Sequence, residues 1–404
     1  MPPDGILRPG AVVIVGAGLA GLSAARALRS HGYGGRVVLV GDEPHDPYDR
    51  PPLSKDFLAG ATSIEGLALG VPEDRGLDLE IRTGVAAQAL DPGRRAVRLE
   101  DGAWVGGEGV VIATGARTRS LPGPPLTGVH GLRSLDDAVS LRAALVPGAR
   151  LVVVGAGFVG AEVASTARGL GVDVTVVEAA DVPLAGPLGE TFGAVCAGLH
   201  ADHGVRLLTG VPVRGLSGDS GPAGPVRGVR LADDRWLPAD LVLVAIGSTP
   251  AVEWLEGSGL DVDRDGILVD AVGGTGVAGV VAVGDCTRRF DPWAGRVVRQ
   301  EHWTAVLHQA AAGAATVLGR PVVPLPPHLG VPYFWSDQYG VRIQFAGHRR
   351  PGDEAEVVEG EPADRRFTAV YRRDGEEVAV LSLDSPRTFG RWRRRIAARA
   401  QPSG

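Results

Sequence analysis

The hydrophobic positions near the N-terminus form a short unbroken run that ends in glycines. Residues 12–21 read Val-Val-Ile-Val-Gly-Ala-Gly-Leu-Ala-Gly, and residues 19–28 carry apolar side chains at helical spacing without a proline. A β-branched run of this kind predicts a buried parallel strand, and the spacing after it predicts a helix. A second apolar run at residues 36–40 predicts the next strand, so the segment has the pattern of a βαβ unit.

The glycine-rich turn after the first strand has the spacing of a dinucleotide-binding site. Gly16 permits a tight turn, Gly18 lets a pyrophosphate approach the backbone, and Gly21 allows the helix to pack closely on the strand. The N-terminus of the helix then faces the phosphates. The second strand ends in Gly-Asp-Glu, which predicts that Asp42 accepts the ribose hydroxyls, with Glu43 as the alternative.

A near copy of this strand and turn occurs later in the chain. Residues 151–160 read Leu-Val-Val-Val-Gly-Ala-Gly-Phe-Val-Gly, so Gly155, Gly157 and Gly160 are predicted to bind a second dinucleotide. The strand that follows ends in Glu178, whose carboxylate can accept hydrogen bonds from both ribose hydroxyls and would repel a 2′-phosphate. The pattern therefore favours NADH over NADPH at this second site.

Small residues mark the ends of three further apolar runs. Residues 113–115 are Ala-Thr-Gly, and Gly247 ends another run, so both segments would let the chain pass close to a cofactor. A predicted strand over residues 275–283 leads into Gly284-Asp285, where the glycine would admit a polyol chain and Asp285 would accept its hydroxyl. The alternative for Asp285 is a helix N-cap.

Composition excludes several classes of protein. The chain has 404 residues, of which 44% are hydrophobic and 22% charged, as expected of two or three globular domains. No apolar run approaches the roughly 20 residues of a membrane span. Residues 1–10 lack a signal-peptide pattern, so we expect a cytoplasmic protein without membrane association. The net charge of −6 argues against nucleic-acid binding. No metal site is predicted, and two distant cysteines, Cys196 and Cys286, argue against a thiol redox centre.

Lys55 is the only lysine in a chain that otherwise uses arginine as its basic residue. It follows consecutive prolines at positions 51 and 52, which stiffen the loop and hold Ser54 and Lys55 in a fixed place. Lysine and arginine differ in geometry and in how readily a protein shifts their pKa. We therefore interpret Lys55 as a functional ammonium group, the alternatives being chance and a rigid surface connection.

From about residue 325 the pattern changes to short alternating runs. Residues 341–346, 367–371 and 378–383 predict strands of a small α+β domain. Trp335 precedes them, next to a polar Ser-Asp-Gln turn, which favours a lid or platform over a core position for its side chain.

These motifs together resemble those of one known family. Besides the two glycine turns and the strand ends, the chain contains Arg-Pro-Pro-Leu-Ser-Lys at residues 50–55 and Val-Pro-Tyr-Phe-Trp-Ser-Asp-Gln at residues 331–338. It thus resembles the flavoproteins with two dinucleotide-binding domains. Among these it is most similar to the NADH-dependent ferredoxin reductases that serve cytochromes P450 or Rieske-type dioxygenases. The resemblance covers residues 10–390.

The resemblance implies an α/β fold with two Rossmann-like dinucleotide-binding domains, for FAD and NAD, and a small C-terminal α+β domain. The implied FAD-binding domain comprises residues 1–115 and 245–324, and the NAD-binding domain comprises residues 116–244. Residues 325–404 form the implied C-terminal domain.

The resemblance also assigns roles to individual residues. Lys55 would lie near the flavin ring and pair with Glu162, and Trp335 would cover the ring, which makes these three the candidate catalytic residues. The implied FAD contacts are Gly16, Gly18, Ala20, Asp42, Arg50, Lys55, Ala87, Arg133, Asp285 and Trp303.

The implied reaction passes a hydride from NADH to FAD and then single electrons to a 2Fe-2S ferredoxin. Such ferredoxins are usually acidic, so a local group of basic docking residues is expected despite the net negative charge. The candidates are Arg288, Arg289, Arg296, Arg299, Arg349 and Arg350.

The chain departs from the resembled family at Val182 and Gly186, where members commonly carry arginine. This departure predicts either weaker binding of the NADH phosphates and adenine, and hence a weak reductase, or a shift of that contact to another place. Two other functions stay open, an NADH-sensing interaction protein like apoptosis-inducing factor and an NADH oxidase. A flavin disulfide reductase would need cysteines early in the chain, and residues 1–195 contain none.

Overall fold

The computed structural model of the protein describes residues 10–219, 224–323 and 330–399. Contacts between residues group the chain into two compact units. The first unit consists of Met1–Asp49, Leu67–Arg117 and Thr249–Tyr333. The second unit consists of Arg50–Gly66, Thr118–Ser248 and Phe334–Gly404. Each unit contains a five-stranded parallel sheet.

The parallel sheet of the first unit has the N-terminal strand at its centre. All five residues of that strand are buried alanine, valine or isoleucine, as expected of a strand that is covered on both faces. The strands in spatial order are Val280–Ala282, Gly109–Ile112, Ala11–Val15, Arg36–Val40 and Leu79–Arg82.

Different elements cover the two faces of this sheet. Helices Leu19–Ser30 and Trp303–Val317 pack on one face through small apolar side chains. The other face packs against an antiparallel sheet of three strands, Ala87–Asp91, Ala96–Leu99 and Trp104–Gly106. The unit also contains the strands Val262–Asp263, Gly266–Val269, Thr287–Asp291 and Arg296–Arg299, and the 3-10 helices Pro72–Leu77 and Glu253–Leu255.

The second unit repeats the βαβ arrangement around its own parallel sheet. Its strands in spatial order are Arg206–Leu208, Asp173–Val177, Arg150–Val154, Leu241–Val244 and Val129–His130. Its helices in this part of the chain are Leu135–Ala144, Phe158–Gly169, Ala185–Leu188 and Glu190–Asp202, and Pro51–Ser54 forms a 3-10 helix. An antiparallel sheet of Val213–Gly218, Val226–Leu231 and Trp236–Pro238 packs against one sheet face.

The C-terminal part of the chain forms an antiparallel sheet and a helix. The strands in spatial order are Tyr333–Gln338, Val341–Gly347, Glu376–Leu383, Arg366–Arg373 and Glu354–Glu361. Helix Pro386–Arg399 contacts the central strand of this sheet. The remaining short elements are the strands Ala116–Thr118 and Ser248–Pro250 and the 3-10 helices Glu65–Leu67 and Pro362–Asp364.

The predicted fold class, two Rossmann-like domains and a small C-terminal α+β domain, is confirmed. The predicted domain boundaries stay a prediction, and the boundary between residues 324 and 325 lies outside the described residues. Residues 1–9, on which the expectation of no signal peptide rests, also lie outside the described residues. In the part of the chain that the structure describes, no helix is both long and apolar enough to cross a membrane.

Candidate cofactor-binding site

The first glycine turn has backbone geometry that only glycine accommodates. Gly16 has a φ of +115°, and a Cβ atom there would lie 2.1 Å from the carbonyl oxygen of Ala113. A Cβ at Gly21 would lie 1.9 Å from the carbonyl oxygen of Gly16, so the helix packs directly on the turn. Gly18 is the helix N-cap, and no side chain of the described residues caps it. The first amides of the helix are thus available to a pyrophosphate.

The acidic residues after the second strand differ in their surroundings. Asp42 is half exposed, and the Arg117 Nη2 atom lies 3.3 Å from its Oδ2 atom. The Glu43 carboxylate instead accepts a hydrogen bond from the Tyr48 hydroxyl at 2.5 Å. These surroundings favour Asp42 over Glu43 as the ribose acceptor, and that role stays a prediction.

The Gly-Asp strand end lies beside the start of the first helix. A Cβ at Gly284 would lie 3.1 Å from the Cβ of Ala20, and the Gly284 amide donates to Gln309 Oε1 at 2.7 Å. Asp285 follows at once, so three predicted FAD contacts, Ala20, Asp285 and the Gly16 turn, belong to one region of the first unit. The N-cap alternative for Asp285 was wrong, because strand Thr287–Asp291 follows it.

Two other predicted FAD contacts of the first unit begin elements of their own. Trp303 is the first residue of helix Trp303–Val317, and its indole Nε1 donates to Asp49 Oδ1 at 2.9 Å. Ala87 begins strand Ala87–Asp91 and packs against the core of the unit. Both residues are partly buried, and their contacts with FAD stay predictions.

The second glycine turn repeats the geometry of the first. Gly155 has a φ of +100°, and a Cβ there would lie 2.4 Å from the carbonyl oxygen of Ala245. A Cβ at Gly160 would lie 2.1 Å from the carbonyl oxygen of Gly155. By contrast, a Cβ at Gly157 would meet no described atom within 4 Å. The turn therefore requires two of its glycines for folding and leaves open space above the third.

Glu178 is held at this turn by backbone amides. Its Oε2 atom accepts from the Ala156 amide at 2.8 Å, and its Oε1 atom accepts from the Ala180 amide at 2.9 Å. The carboxylate is thereby fixed beside the turn. Its remaining lone pairs can accept hydrogen bonds from the hydroxyls of a nucleotide ribose. Gly247 has a φ of +96° and open space at its Cβ position, so it leaves room for a ligand near the end of its strand.

Lys55 and Glu162 form an ion pair inside the second unit. Lys55 Nζ lies 2.6 Å from Glu162 Oε2, and the exposed fractions of the two side chains are 17% and 5%. The Ser54 hydroxyl donates to the same carboxylate oxygen at 2.6 Å. The Ser336 hydroxyl donates to Oε1 at 2.6 Å. Sequence reasoning missed Ser336, because nothing in the local pattern of a strand indicates a distant partner.

Arg50 and Arg133 meet through the backbone. Arg50 Nη1 donates to the Arg133 carbonyl at 2.6 Å. The Arg133 amide donates to the carboxylate of Asp137, which together with Ser134 forms the capping box of helix Leu135–Ala144. The helix N-terminus thus fixes the segment that carries Arg133, and the contacts of both arginines with FAD stay predictions.

The aromatic cluster before the C-terminal sheet divides between two faces of one strand. Phe334 packs against Phe158 and Phe345, with ring centroids 4.8 Å and 5.2 Å apart. Successive residues of a strand point to opposite faces, so Ser336 shares the face of Phe334 and Trp335 points to the other. Trp335 is partly buried. Phe334 is therefore a core residue, whereas the covering role of Trp335 stays a prediction.

The predicted docking arginines differ in how much of their charge is available. Arg288 and Arg299 are mostly buried and form ion pairs, the first with Asp261 and Asp263 and the second with Glu301. Arg289 is partly buried, and burial lowers the pKa of its guanidinium. Arg296 and Arg350 are exposed.

Arg349 is engaged with the segment in which the predicted arginines are missing. Its Nη1 atom donates to the carbonyls of Ala185 and Gly186 at 3.3 Å and 3.1 Å. A guanidinium thus lies beside residue 186, supplied by a different part of the chain. This contact makes Arg349 a candidate for cofactor binding as well as for ferredoxin docking. The spacing of residues along the sequence does not indicate it.

Both cysteines are buried free thiols. Burial raises the pKa of the Cys196 thiol to about 12 and that of the Cys286 thiol to about 11. Neither thiol is therefore a ready nucleophile at neutral pH, because thiolate is the reactive form. These surroundings do not support disulfide chemistry.

The comparisons with known proteins agree with this geometry. The model of the pyridine nucleotide-disulphide oxidoreductase family matches residues 10–310, and a reductase C-terminal model matches residues 333–404. The chain belongs to the pyridine nucleotide-disulphide oxidoreductase family. The resemblance to flavoproteins with two dinucleotide-binding domains is thereby confirmed. Although the family name refers to disulfides, the two cysteines of this member are the buried thiols described above.

Relatives of this family member include reductases of ferredoxins. It is 39% identical over 391 residues to the probable ferredoxin reductase CtmF of Castellaniella defragrans, covering 95% of this chain and 93% of the relative. It is 38% identical over 398 residues to the ferredoxin–NAD(+) reductase component of the biphenyl dioxygenase system of Paraburkholderia xenovorans, covering 97% and 94%.

A solved structure is similar over nearly the whole chain. It is the crystal structure of the covalent putidaredoxin reductase–putidaredoxin complex, with a TM-score of 0.90 and 34% sequence identity. The match covers 96% of this chain and 93% of that chain.

Proposed function

We propose that the chain is an FAD-dependent NADH:ferredoxin oxidoreductase whose ferredoxin serves a cytochrome P450 or a Rieske-type oxygenase. The observation that carries the proposal is the second glycine turn, where open space at Gly157 lies beside the fixed carboxylate of Glu178. Buried thiols leave the flavin as the redox centre. Relatives named for a dioxygenase system and for a complex with putidaredoxin support the choice of a ferredoxin as acceptor.

The second unit supplies the groups that would bind NADH. The pyrophosphate is assigned to the amides at the start of helix Phe158–Gly169, whose N-cap Gly157 carries no side chain. Glu178 accepts hydrogen bonds from the ribose hydroxyls, and a 2′-phosphate would bring negative charge to the same carboxylate. NADH is therefore the proposed donor. Arg349 is the proposed substitute for the arginines that positions 182 and 186 lack.

The first unit supplies the dinucleotide site that would hold FAD. The turn at Gly16 and the helix behind it offer the amides for its pyrophosphate, and Asp42 and Asp285 offer the carboxylates for its hydroxyls. When bound, FAD would supply the redox chemistry that links the two-electron donor NADH to a ferredoxin that takes up one electron at a time. The protein needs no acid or nucleophile for these steps, so its residues position the reactants and set the charge around them.

Lys55 has an electrostatic role in this proposal. Its ammonium is held by Glu162 and supplies a fixed positive charge that favours electron uptake by the flavin. Trp335 is proposed to shield the ring. Arg296 and Arg350 are the proposed contacts of an acidic ferredoxin, because they are the two candidates whose residues are exposed. The proposed compartment is the cytoplasm.

The test is anaerobic mixing of the purified protein with NADH, followed by a 2Fe-2S ferredoxin and cytochrome c. We expect rapid bleaching of the flavin absorbance and cytochrome c reduction that depends on the ferredoxin. Bleaching without faster turnover when several ferredoxins are offered would replace the proposal with an NADH-sensing protein. Fast peroxide formation in air that no ferredoxin suppresses would replace it with an NADH oxidase.

A further inference from the structure

Both oxygens of the buried Glu162 carboxylate are bound by hydroxyl groups of distant residues. Ser54 donates to Oε2 and Ser336 donates to Oε1, each at 2.6 Å. Each hydroxyl also accepts a hydrogen bond, at 3.3 Å from Lys55 Nζ to Ser54 and at 3.0 Å from Gln338 Nε2 to Ser336. The carboxylate is thus the end point of two short hydrogen-bond chains in the second unit.

Lys55 has an acceptor for each of its side-chain hydrogen-bond donors. Its ammonium has three donors, and three oxygen acceptors lie within reach. They are Glu162 Oε2 at 2.6 Å, the Pro51 carbonyl at 3.1 Å and the Ser54 hydroxyl at 3.3 Å. The only lysine of the chain is therefore held in one orientation, and Glu162 makes the shortest of its contacts.

The Ser336 contact has a distinct energetic importance. Glu162 is 5% exposed and Ser336 is fully buried, so the Ser336 hydroxyl, and not bulk solvent, is the donor to Oε1. An unpaired oxygen on a buried carboxylate is costly, and a carboxylate that loses one donor rotates toward the donors that remain. Such a rotation would change the short contact with Lys55. Gln338 restrains the Ser336 hydroxyl in turn, because its amide occupies the acceptor side of that oxygen.

We infer that Ser336 is a positioning residue, which fixes the Glu162 carboxylate and through it the ammonium of Lys55. Ser54 restrains the same carboxylate from the other oxygen. Since Ser336 neighbours Trp335 on strand Tyr333–Gln338, one hydrogen bond ties that strand to the charged pair. The inference about position rests on the contacts alone, whereas its effect on the flavin rests on the proposed function.

The single lysine makes the inference directly measurable. Labelling the full chain with [15N]lysine places one side-chain signal in a 1H–15N spectrum, and the exchange of its Nζ protons with water reports how firmly the ammonium is held. We expect Ser336→Ala to speed this exchange about tenfold, as loss of a buried hydrogen bond to a charged group predicts. Ser54→Ala should speed it too, and Glu162→Gln should give the fastest exchange.

Two further variants separate position from general stability. Ser382→Ala removes a buried hydroxyl from strand Glu376–Leu383, which strand Val341–Gly347 separates from the strand of Ser336, and it should exchange like the wild type. Ser336→Thr keeps the hydroxyl and should restore slow exchange. If folded Ser336→Ala exchanges no faster than Ser382→Ala, the inference is wrong.

A second readout tests the consequence for the flavin. The midpoint potential of bound FAD should fall in Ser336→Ala and recover in Ser336→Thr, because a displaced ammonium stabilises added electrons less. Faster Lys55 exchange with an unchanged potential would uphold the positioning role and overturn the placement of Lys55 near the flavin. The two failures are therefore distinguishable.

Discussion

Replacement of Gly157 by alanine separates the folding role of the second turn from its binding role. Gly157 has φ and ψ values of −70° and −178°, which alanine adopts without strain, and its Cβ would enter open space. Alanine is a poorer N-cap than glycine by roughly 0.5–1 kcal/mol. Alanine also restricts the conformations of the unfolded chain, which raises the free energy of unfolding by about 0.4–1 kcal/mol. These contributions nearly cancel, so the thermal midpoint should move by no more than about 2 °C.

The same methyl group would occupy the space assigned to the pyrophosphate. Loss of one hydrogen bond between a backbone amide and a charged group costs about 1.5–3 kcal/mol. We therefore expect the KM for NADH to rise roughly ten- to hundredfold in a ferricyanide-coupled assay. An unchanged KM in a protein of unchanged thermal stability would refute the placement of NADH at this turn.

Two glycines of the same helix provide the comparison. Gly160→Ala places a Cβ 2.1 Å from the Gly155 carbonyl oxygen, so this variant should lose thermal stability as well as NADH binding. Gly169→Ala lies at the last residue of helix Phe158–Gly169 with open space around it, so neither property should fall. A Gly160→Ala protein as stable as the wild type would contradict the steric reasoning.

Three further outcomes are expected. Glu178→Arg should raise the KM for NADH about tenfold and admit NADPH, because a ribose acceptor becomes a phosphate partner; the ratio of kcat/KM for the two donors measures this, and an unchanged ratio would count against it. Gly21→Ala should yield protein without bound flavin and with a lower thermal midpoint, since its Cβ would lie 1.9 Å from a carbonyl oxygen, and a fully yellow product would contradict this. Hydrogen bonds from Arg150 lower the pKa of Asp240 to about 2. This folded-state pKa lies below the unfolded value of about 3.9, so the stabilisation by Asp240 is present above about pH 4 and is lost as the pH falls toward 2. Asp240→Asn should thus be slightly less stable than the wild type at pH 7 and equal to it near pH 2, as urea unfolding at several pH values would reveal.

Long apolar runs next to glycine turns were the most predictable part of the fold. The strand predicted over residues 36–40 is observed as Arg36–Val40, because a buried parallel strand needs apolar side chains on both faces and the run has clear ends. The strand predicted over residues 275–283 is only Val280–Ala282. Gly276 and Gly279 have positive φ values, which interrupt an extended backbone that hydropathy alone does not distinguish.

Side-chain partners across long sequence separations were less predictable. The pairing of Lys55 with Glu162 came from a family resemblance, and the hydroxyl of Ser336 joins them from 174 residues beyond Glu162. Counting arginines in the sequence also overestimated how many of them have a charge available for docking a ferredoxin. Arg288 is neutralised by Asp261 and Asp263, which stand on other segments and become its neighbours only in the folded sheet.

The enclosure of Lys55 has a practical consequence for capturing the electron-transfer complex. Amine-directed cross-linkers and carbodiimide coupling need an accessible primary amine, and the only lysine side chain is 17% exposed with its three donors engaged. A reductase and a ferredoxin joined through this protein's side-chain amines are therefore not expected. Capture of the pair calls for a thiol introduced on the surface, where the two native cysteines will not compete because both are buried.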